Sequence, residues 1–439
     1  MDLQKIRENQ AGKVLEFSLP AIIAMVFTSL ITVADGFFMG NYVGKEGIAA
    51  VNLGLPIVYL YLGVGLMVSI GGVAMAGMAL GFGDKKISNQ IFNQTIATTL
   101  GAAVLISCVM AFCLDPVILV LRGEGKVAGC FREYYQIMLL ELPVMVVNSS
   151  FGMFIRGEGN PQYYMKISIF QVLLNILLDY VLTGCFQQGA AGIAVASLLS
   201  ALVSLAGILW YFFRRAKVYQ LGRFSFSGKI CRDSFLNGSS EFIGEMSTGI
   251  AMFAYNLVIM RKFGADGVTA FTIVGYTAFV FSMVIVGFGQ GASPLISFCY
   301  GAKERLLAAD IRRWANRFVF GAGAVVALVM VGISGWYGSI FVANRQVQDM
   351  VNFGIRIFVV SFFFSGINAI TSFYFTAIGK AFESAVISSL RGLVVLLLCI
   401  FILPALFGMT GVWMAAPVTE LVTLGATGVF LRRDREKMI

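Results

Sequence analysis

The chain has 439 residues, of which 58% are hydrophobic and only 13% are charged, whereas about 25% of the residues of a soluble domain are charged. This composition excludes a soluble globular protein and indicates an integral membrane protein. The formal net charge is +9, but the basic residues lie in the loops between apolar runs, so we expect no nucleic acid as a partner. Histidine is absent, which excludes histidine-ligated metal centres and histidine catalysis.

Twelve apolar runs are long enough to cross the lipid bilayer as helices, since roughly 20 residues suffice. Those of the first half are 16–40, 48–80, 90–121, 130–155, 161–184 and 190–213. Those of the second half are 234–261, 266–299, 311–342, 348–376, 382–407 and 410–431. The runs predict an all-α polytopic membrane protein with twelve transmembrane helices.

The two halves of the sequence resemble each other. Three short segments recur about 220 residues later: 44–50 matches 264–270, 83–85 matches 301–303, and 192–193 matches 411–412. With six spans per half, such repeats are related by an axis along the membrane normal. We therefore predict two pseudo-symmetric six-helix lobes, the N-terminal one at 1–218 and the C-terminal one at 233–439, with a cytoplasmic inter-lobe loop at 219–232.

The loops also predict the orientation of the chain. Lys and Arg are several times more frequent in the segments on the side of the two termini than in the opposite loops. Because cytoplasmic loops carry the excess of positive charge, both termini are predicted to be cytoplasmic. The chain is expected in the plasma (inner) membrane, as a multi-pass protein and a monomer.

Two aspartates lie inside predicted spans. Asp35 and Asp179 are each about five residues from the outer end of their span, which places both roughly 7 Å below the outer boundary. Asn175 lies one helical turn before Asp179, and Ser197 of the sixth span offers a hydroxyl group. Buried ionisable residues are costly, so these four residues are predicted to bind H⁺ or Na⁺. The alternative is a structural hydrogen-bond network.

Other polar residues within spans are candidates for a substrate cavity, where carboxylates and aromatic walls suit organic cations. They are Glu141, Asn148, Glu241, Glu245, Tyr255, Asn256, Gln290 and Glu420. Glu241 and Glu245 share one helix face, although Glu241 could instead be solvated at the cytoplasmic boundary. Glu420 could instead pair with Arg391 and be structural. Tyr255 stands at the repeat position of Asp35.

Five short motifs, in order and spacing, resemble the multidrug and toxic compound extrusion (MATE) family of the multidrug/oligosaccharidyl-lipid/polysaccharide (MOP) flippase superfamily. They are FSLP at 17–20, DGFFMG at 35–40, RGEGNP at 156–161, NILLD at 175–179, and GVW at 411–413 followed by Pro417 and Glu420. The resemblance implies a V-shaped pair of six-helix bundles. It also implies that Asp35, Asn175 and Asp179 match the acidic site of DinF-like members, with Ser197 at the position of a hydroxyl residue.

The function predicted from these features is secondary active multidrug export. Amphipathic, often cationic small organic molecules would leave in antiport with H⁺ or Na⁺ by alternating access, without a cofactor and without a resident metal other than a possible Na⁺ at Asp35 and Asp179. A lipid-linked saccharide flippase is the alternative. It would need a cationic groove, and the predicted spans contain few cationic residues that could form one. An intramembrane enzyme is a remote alternative, because nucleotide-binding and nucleophile motifs are absent from the sequence.

Overall fold

The structure of the chain, a computed structural model, describes residues 1–120 and 125–436. Within these ranges every regular element is a helix and no strand occurs. Long apolar sequences form helices in a bilayer because a helix satisfies all of its own backbone N–H and C=O groups. Residue 121 of the third predicted span and residues 437–439 of the predicted C-terminal lobe lie outside the described ranges.

The first half contains eight α-helices and two π-helical segments. The α-helices are α1 (Leu3–Glu8), α2 (Gln10–Phe38), α3 (Lys45–Leu53), α4 (Leu55–Gly81), α5 (Lys85–Val120), α6 (Gly125–Glu158), α7 (Pro161–Asp179) and α8 (Gly189–Arg214). The π segments Met39–Val43 and Tyr180–Cys185 extend α2 and α7. We call these elements the N-lobe.

The second half, which we call the C-lobe, repeats this arrangement with eight further helices. They are α9 (Gly228–Asn237), α10 (Ser239–Gly301), α11 (Arg305–Tyr337), α12 (Arg345–Phe358), α13 (Ser361–Ala377), α14 (Ala381–Ser389), α15 (Val395–Phe407) and α16 (Met409–Glu436). The π segment Leu390–Val394 joins α14 to α15, and a short 3₁₀ turn at Gly338–Ile340 follows α11.

The described residues provide the twelve predicted spans. Ten helical stretches are individually long and apolar enough to cross a membrane, and α12 with α13, bent by 49°, makes an eleventh. One of the ten, α10, has 63 residues and a non-helical backbone at Gly264, with φ 67°. Gly264 divides α10 into an arm at 239–263 and an arm at 265–301, each of which can span a bilayer. The prediction of twelve spans in two six-helix lobes is confirmed.

Besides the span formed by α12 and α13, two predicted spans are interrupted in the structure. The span predicted at 48–80 is broken at Gly54, so that α3 ends before α4 begins with Pro56 in its first turn. The span predicted at 234–261 instead begins with α9, is broken at Gly238 and continues into α10. A side chain at Gly238 would strike the carbonyl of Met67 on α4, so glycine is required at this close approach.

The internal repeat is visible in the turns. Glycines with positive φ occur in matching pairs, Gly44 with Gly264, Gly159 with Gly379 and Gly189 with Gly408. In the second of these pairs the backbone hydrogen bonds also match, since Gly159 donates to Arg156 and Gly379 donates to Thr376. The two lobes are therefore built on the same backbone plan.

One sequence match between the halves was wrong by two residues. The sequence pairs Gly83 with Gly301, but the turn at Gly83 (φ 88°) corresponds to the turn at Lys303 (φ 66°). The hydrogen bonds settle the register, because Gly83 donates to the carbonyl of Leu80 and Lys303 to that of Tyr300. The error arose because Lys303 adopts a left-handed conformation that usually favours glycine.

The lobes meet where α4 crosses the 265–301 arm of α10. A Cβ atom added to Gly81 would lie 2.1 Å from the carbonyl oxygen of Phe298, and one added to Gly301 would lie 2.1 Å from that of Met78. The two contacts are equivalent under the repeat, so a pseudo-two-fold axis passes between them. Backbones approach this closely only where side chains are absent.

Both termini lie at the end of the molecule where these glycines meet, which we call the terminal side. Arg7 forms an ion pair with Glu304 at 2.7 Å, just before α11. Asp434, near the end of α16, contacts Lys380 and accepts a hydrogen bond from Tyr374 at 2.7 Å. Helices α4 and α10 both end on this side, so the glycine contacts close the boundary between the lobes there.

The connection between the lobes is extended and tied to the N-lobe. Asn93 of α5 donates to the carbonyl of Gln220 and accepts from the amide of Gly222. Glu158 accepts the amides of Lys217 and Val218. The predicted loop at 219–232 is thus shorter than expected, because α9 begins at residue 228. The predicted lobe boundaries at 218 and 233 stay a prediction.

Candidate functional site

The N-lobe brings together the four residues predicted to bind a cation. The hydroxyl of Ser197 donates to Oδ2 of Asp35 at 3.3 Å, and Nδ2 of Asn175 donates to the Ser197 hydroxyl at 3.2 Å. The carboxyl group of Asp179 faces that of Asp35 within hydrogen-bonding range. Three helices contribute: α2 carries Asp35, α7 carries Asn175 and Asp179, and α8 carries Ser197.

The electrostatics of this cluster are unusual. Asp179 is fully buried and Asp35 is half-buried. Neither oxygen of Asp179, nor Oδ1 of Asp35, accepts a hydrogen bond from a donor in the described residues. Two carboxylates repel each other, and burying an unpaired charge is costly. The arrangement therefore suits a proton shared between the two carboxyl groups, or a cation bound between them.

The backbone widens beside both aspartates. The π segment Met39–Val43 follows Asp35 by one turn, and the segment Tyr180–Cys185 begins directly after Asp179. π-Helical turns within α-helices are rare and occur frequently at functional sites. A three-residue connection then turns α7 into α8, with Gln187 at φ 54°, and brings Ser197 to the face of Asn175.

Glu141 also belongs to the N-lobe cluster. It is 5% exposed on α6, and its carboxyl group is within electrostatic range of Asp35. Tyr134, two turns earlier on α6, is buried within range of Asp35, Asp179 and Glu141. Asn148, in contrast, donates to the carbonyl of Ala201 at 2.9 Å, which ties α6 to α8.

In the C-lobe, both carboxylate oxygens of Glu420 accept hydrogen bonds from neighbouring side chains. Its Oε1 accepts from Nη2 and Nε of Arg391 at 2.8 and 3.3 Å. Asn368 donates to both Oε2 and the backbone carbonyl of Glu420, each at 2.8 Å. The ion pair that the sequence offered as an alternative is therefore present. Asn368 repeats the role of Asn148, since each asparagine holds the carbonyl of a facing helix.

Glu245 faces the boundary between the lobes, and Glu241 lies one turn earlier on α10. Both are half-buried, and neither forms an ion pair within the described ranges. A Cβ atom at Gly63 of α4 would lie 3.6 Å from Cβ of Glu245. Glu241 is within electrostatic range of Glu245 and Arg391. Glu241 is the third residue of α10, whose apolar span begins at Ser239, so its placement at membrane depth and not at the cytoplasmic boundary stays a prediction.

The remaining candidates lie elsewhere. Tyr255 is buried against Phe271, with ring centroids 4.4 Å apart, and lies about 15 Å along the helix from Glu245. Asn256 is half-buried beside it. Gln290 accepts a hydrogen bond from Nη2 of Arg156 at 2.9 Å, which links the two lobes directly.

Beside that link, a small apolar cavity lies between the lobes. Its walls come from α4, α6, α10 and α13. The lining residues are Ile70, Val73, Ala74, Met153, Gln290, Ser293, Pro294, Phe373 and Ala377. No group of three or more Cys, Asp or Glu side chains in the described ranges is arranged to ligate a metal ion.

Comparison with known proteins identifies the family. The sequence model of the MatE family matches residues 20–181 and 243–416, which together make up most of the chain and take in both lobes. The chain belongs to the MatE family. The resemblance to MATE transporters is thereby confirmed, and the chain is a multi-span membrane protein of this family.

Several relatives of this MatE chain are similar over nearly their whole length. The multidrug export protein MepA of Staphylococcus aureus is 23% identical over 426 residues, covering 96% of this chain and 94% of the relative. An outward-facing multidrug resistance MATE family transporter of the MOP superfamily has a TM-score of 0.90 at 23% identity, covering 98% of this chain and 96% of that one. The Vibrio cholerae MATE transporter VcmN has a TM-score of 0.91 at 18% identity, covering 97% and 98%.

Two residues of the MatE chain's polar sites, Tyr134 and Asn368, were not predicted from the sequence. Tyr134 is one of fifteen tyrosines, and only its spacing of seven residues from Glu141 places it on the same helix face. Asn368 could have been found from Asn148, because the two asparagines stand at equivalent positions of the internal repeat. The same offset of 220 residues that relates Asp35 to Tyr255 relates Asn148 to Asn368.

Proposed function

We propose that this MatE chain is a secondary active exporter of amphipathic, often cationic small organic molecules. Export is coupled to inward movement of H⁺ or Na⁺ and proceeds by alternating access of the two lobes. The protein acts as a monomer in the plasma (inner) membrane, with both termini cytoplasmic. It is a transporter and not an enzyme. The name and near-complete overlap of MepA support export of several drugs.

The observation that carries the proposal is the pair of carboxyl groups at Asp35 and Asp179. A pair that shares one proton, or holds one Na⁺ with Asn175 and Ser197, changes its charge when the cation leaves. That change alters the interaction between α2 and α7, which supply the two aspartates. Coupling requires only that the cation binds one arrangement of these helices better than the other.

Alternating access requires the two lobes to separate and close at the boundary between them. On the terminal side, glycines of α4 and α10 bring the lobes into backbone contact, and Arg156 donates to Gln290 across the boundary. If the terminal side is cytoplasmic, this arrangement is closed to the cytoplasm. The opposite arrangement must break these contacts to admit substrate.

The substrate site of the proposal lies at Glu241 and Glu245. Both carboxyl groups lack an ion-pair partner among the described residues, and Glu245 packs beside Gly63 of α4 across the boundary. An organic cation between the lobes would pair with these carboxylates. The energy is sufficient, because one charge crossing 100 mV supplies about 2.3 kcal/mol. That supports a roughly fifty-fold concentration ratio for a neutral substrate.

A lipid-linked saccharide flippase is the second candidate. It would need a cationic groove for a pyrophosphate group. Arg391 is instead neutralised by Glu420, and Arg156 is buried between the lobes. No feature of the described residues favours this candidate over drug export.

The experiment reconstitutes the full chain in lipid vesicles and follows the movement of a cationic dye under an imposed pH or Na⁺ gradient. Asp35→Asn and Asp179→Asn each remove a carboxylate but keep the size of the side chain. We expect each to abolish gradient-driven transport, a loss of at least about tenfold, because the cluster can no longer change charge in the same way. The ion whose gradient drives transport is the coupling ion.

The matched control is Asp115→Asn. Asp115 is exposed and pairs with Arg132 at the surface, so its loss should leave transport unchanged. If both aspartate variants transport the dye at the wild-type rate under a gradient, the proposed coupling site is wrong. Flipping of a saccharide lipid without dye transport would instead establish the second candidate.

A further inference from the structure

The end of the connection between the lobes has a fixed structure. Helix α9 packs through Ile230, Ser234 and Asn237, which are partly or fully buried on one helix face. A Cβ atom on Gly71 of α4 would lie 2.0 Å from the carbonyl oxygen of Ser234. On the other side of the boundary, Nδ2 of Asn237 donates to the carbonyl of Thr376 at 2.9 Å. Contacts with both lobes therefore fix the orientation of α9.

The opposite face of α9 is exposed. Lys229, Arg232 and Leu236 are three and four residues apart, which places them on one helix face, and all three are exposed. The side chain of Arg232 keeps 77% of its surface exposed, and Leu236 is 52% exposed. This face combines basic groups with an apolar side chain that the protein does not cover.

Two aromatic side chains lie beside this face. Phe224 and Phe226 are 37% and 71% exposed, and Arg223 is exposed next to them. Their backbone is held in place, because Gln94 of α5 donates to the carbonyl of Ser227 at 2.7 Å and accepts from its amide at 3.1 Å. The aromatic side chains are thus presented outward by an ordered stretch of chain.

We call residues 223–236 the basic segment. It leads into the first span of the C-lobe, as α1 leads into the first span of the N-lobe. Ile6 of α1 is only 2% exposed and packs into the apolar core of the C-lobe, whereas Phe226 is left uncovered. Exposed aromatic residues beside basic ones are typical of protein surfaces that contact the membrane interface.

The order of residues along α9 fits such a contact. Helix α9 runs away from the terminal side, toward the break at Gly238. Ser234 lies beside Gly71, ten residues before the end of α4, and thus about 15 Å from the terminal side. Lys229 is about 7 Å nearer to that side and Leu236 about 3 Å deeper. The basic groups therefore lie toward the membrane surface, and the leucine toward the hydrocarbon.

The basic groups are not neutralised within the protein. In the ranges that the structure describes, Arg223 and Lys229 form no ion pair. Arg232 approaches Asp233 at 3.6 Å, but the arginine is exposed, and exposed pairs contribute little. An anionic group is the electrostatic complement of this surface. A free anion would leave the apolar side chains uncovered, whereas an anionic lipid would cover them as well.

We propose that the basic segment binds anionic phospholipids of the leaflet on the terminal side. Arg223, Lys229 and Arg232 contact the phosphate of the headgroup, while Phe226 and Leu236 pack against the acyl chains. Basic clusters beside membrane spans attract anionic headgroups in this way. The inference goes beyond the proposed export function and does not depend on it.

The test measures lipid binding to the purified full-length protein in detergent by native mass spectrometry. Phosphatidylglycerol is compared with phosphatidylcholine of the same acyl chains, so that only the charge of the headgroup differs. We expect the wild-type protein to bind phosphatidylglycerol at least about tenfold more tightly, because each basic residue near the headgroup adds about 1 kcal/mol. Inorganic phosphate at millimolar concentration should not displace the bound lipid.

Two variants separate the charged contacts from the apolar ones. The triple variant Arg223→Gln, Lys229→Gln and Arg232→Gln should weaken phosphatidylglycerol binding about tenfold and leave phosphatidylcholine binding unchanged. The double variant Phe226→Ser and Leu236→Ser should weaken both lipids several-fold, because the acyl chains lose apolar contact. All five side chains are exposed, so we expect the variants to fold.

The matched control removes three exposed arginines at the end of α16, on the same side of the molecule. Its substitutions are Arg432→Gln, Arg433→Gln and Arg435→Gln. The control should keep the preference of the wild-type protein for phosphatidylglycerol.

Four results would each overturn the inference. They are equal binding of both lipids by the wild-type protein, unchanged phosphatidylglycerol binding in either segment variant, equal loss of binding in the control, and displacement of the lipid by inorganic phosphate. The last result would establish a site for a free anion in place of a lipid.

Discussion

Glu420 and Glu245 are glutamates of the same lobe, and they illustrate how much the surroundings of a residue determine its role. Glu420 is held by a guanidinium and an amide, so its charge is compensated within the protein. Glu245 contacts the boundary between the lobes and has no such partner in the described part of the chain. The sequence made both residues candidates for the substrate cavity and offered pairing with Arg391 as the alternative for Glu420 alone.

At the residue scale, the Arg391–Glu420 pair predicts an asymmetry in stability. Removing one member of a buried pair leaves an uncompensated charge, whereas removing both leaves none. Because the side chain of Arg391 is partly exposed, we expect Arg391→Gln to cost about 1–3 kcal/mol of unfolding free energy after allowing for solvent screening. The double variant with Glu420→Gln should cost less.

The measurement is the apparent Tm of the detergent-purified protein. Arg356→Gln serves as the control for loss of an arginine and should shift the apparent Tm little. A double variant that is as unstable as the single variant, or less stable, would show that Glu420 is held by Asn368 and packing and not by the charge of Arg391.

Individual residues mark the limit of sequence analysis here. Asp35, Asn175, Asp179 and Ser197 were predicted together because helix periodicity and matched depth are readable from sequence, and the structure places them in contact. Tyr134 was not predicted, because a tyrosine within an apolar helix carries no signal until its neighbours are known. Pairing of Arg391 with Glu420 stayed open, since their helices are consecutive but the sequence does not give the rotation of either helix.

At the element scale, the contact of α4 with the 265–301 arm of α10 depends on small residues. Gly77 approaches the hydroxyl of Ser297, while Gly81 and Gly301 approach backbone carbonyls of the facing helix. A serine side chain can rotate, but a carbonyl in a helix cannot move without moving the helix. The contact at Gly81 and Gly301 is therefore the least tolerant part of the lobe boundary.

Gly81→Ala should force the lobes apart on the terminal side. Its Cβ atom would lie 2.1 Å from the carbonyl oxygen of Phe298, well inside van der Waals contact, so α4 and α10 must separate. The matched control is Gly101→Ala on α5, where an added Cβ atom meets nothing within 4 Å. In Gly81→Ala we expect the arrangement closed on the terminal side to be less populated.

The readout is the alkylation rate of a single cysteine introduced by Ser293→Cys in the cavity between the lobes. The background replaces the seven native cysteines, and the reagent is a water-soluble maleimide. Gly81→Ala should raise the rate several-fold, while Gly101→Ala should leave it unchanged. An unchanged rate in Gly81→Ala would mean that the boundary does not open at this contact.

The helices themselves were largely predictable, but their interruptions were not. Apolar runs give the number of spans, because a bilayer requires about 20 apolar residues per helix. The breaks at Gly54 and Gly238 depend on contacts with other helices, such as the carbonyl of Met67 against Gly238. The sequence of an apolar run does not show whether a glycine allows close helix packing, stands at a helix break or does neither.

At the scale of the whole molecule, the two lobes share a backbone arrangement but differ in their buried polar residues. The turns of the two lobes match in backbone conformation, and the lobes meet through an equivalent pair of glycine contacts. The N-lobe holds a carboxyl pair with a hydroxyl and an amide, whereas the C-lobe holds glutamates with an arginine. We interpret this division as one lobe for the coupling ion and one lobe for the substrate.

A division of roles predicts that the two sites communicate through the arrangement of the lobes. Binding of the cation in the N-lobe and of substrate in the C-lobe must favour different arrangements, since a ligand shifts an equilibrium only by its differential affinity. Substrate movement should then drive ion movement in the opposite direction, even when no ion gradient is imposed.

The direct test measures ion flux in vesicles that contain the protein, equal ion concentrations on both sides, and an imposed gradient of the cationic dye. The account predicts that dye movement drives H⁺ or Na⁺ the opposite way in the wild-type protein, and that Asp35→Asn and Asp179→Asn abolish this ion flux while Asp115→Asn retains it. Dye movement without ion movement in the wild-type protein, or full ion flux in both aspartate variants, would contradict it.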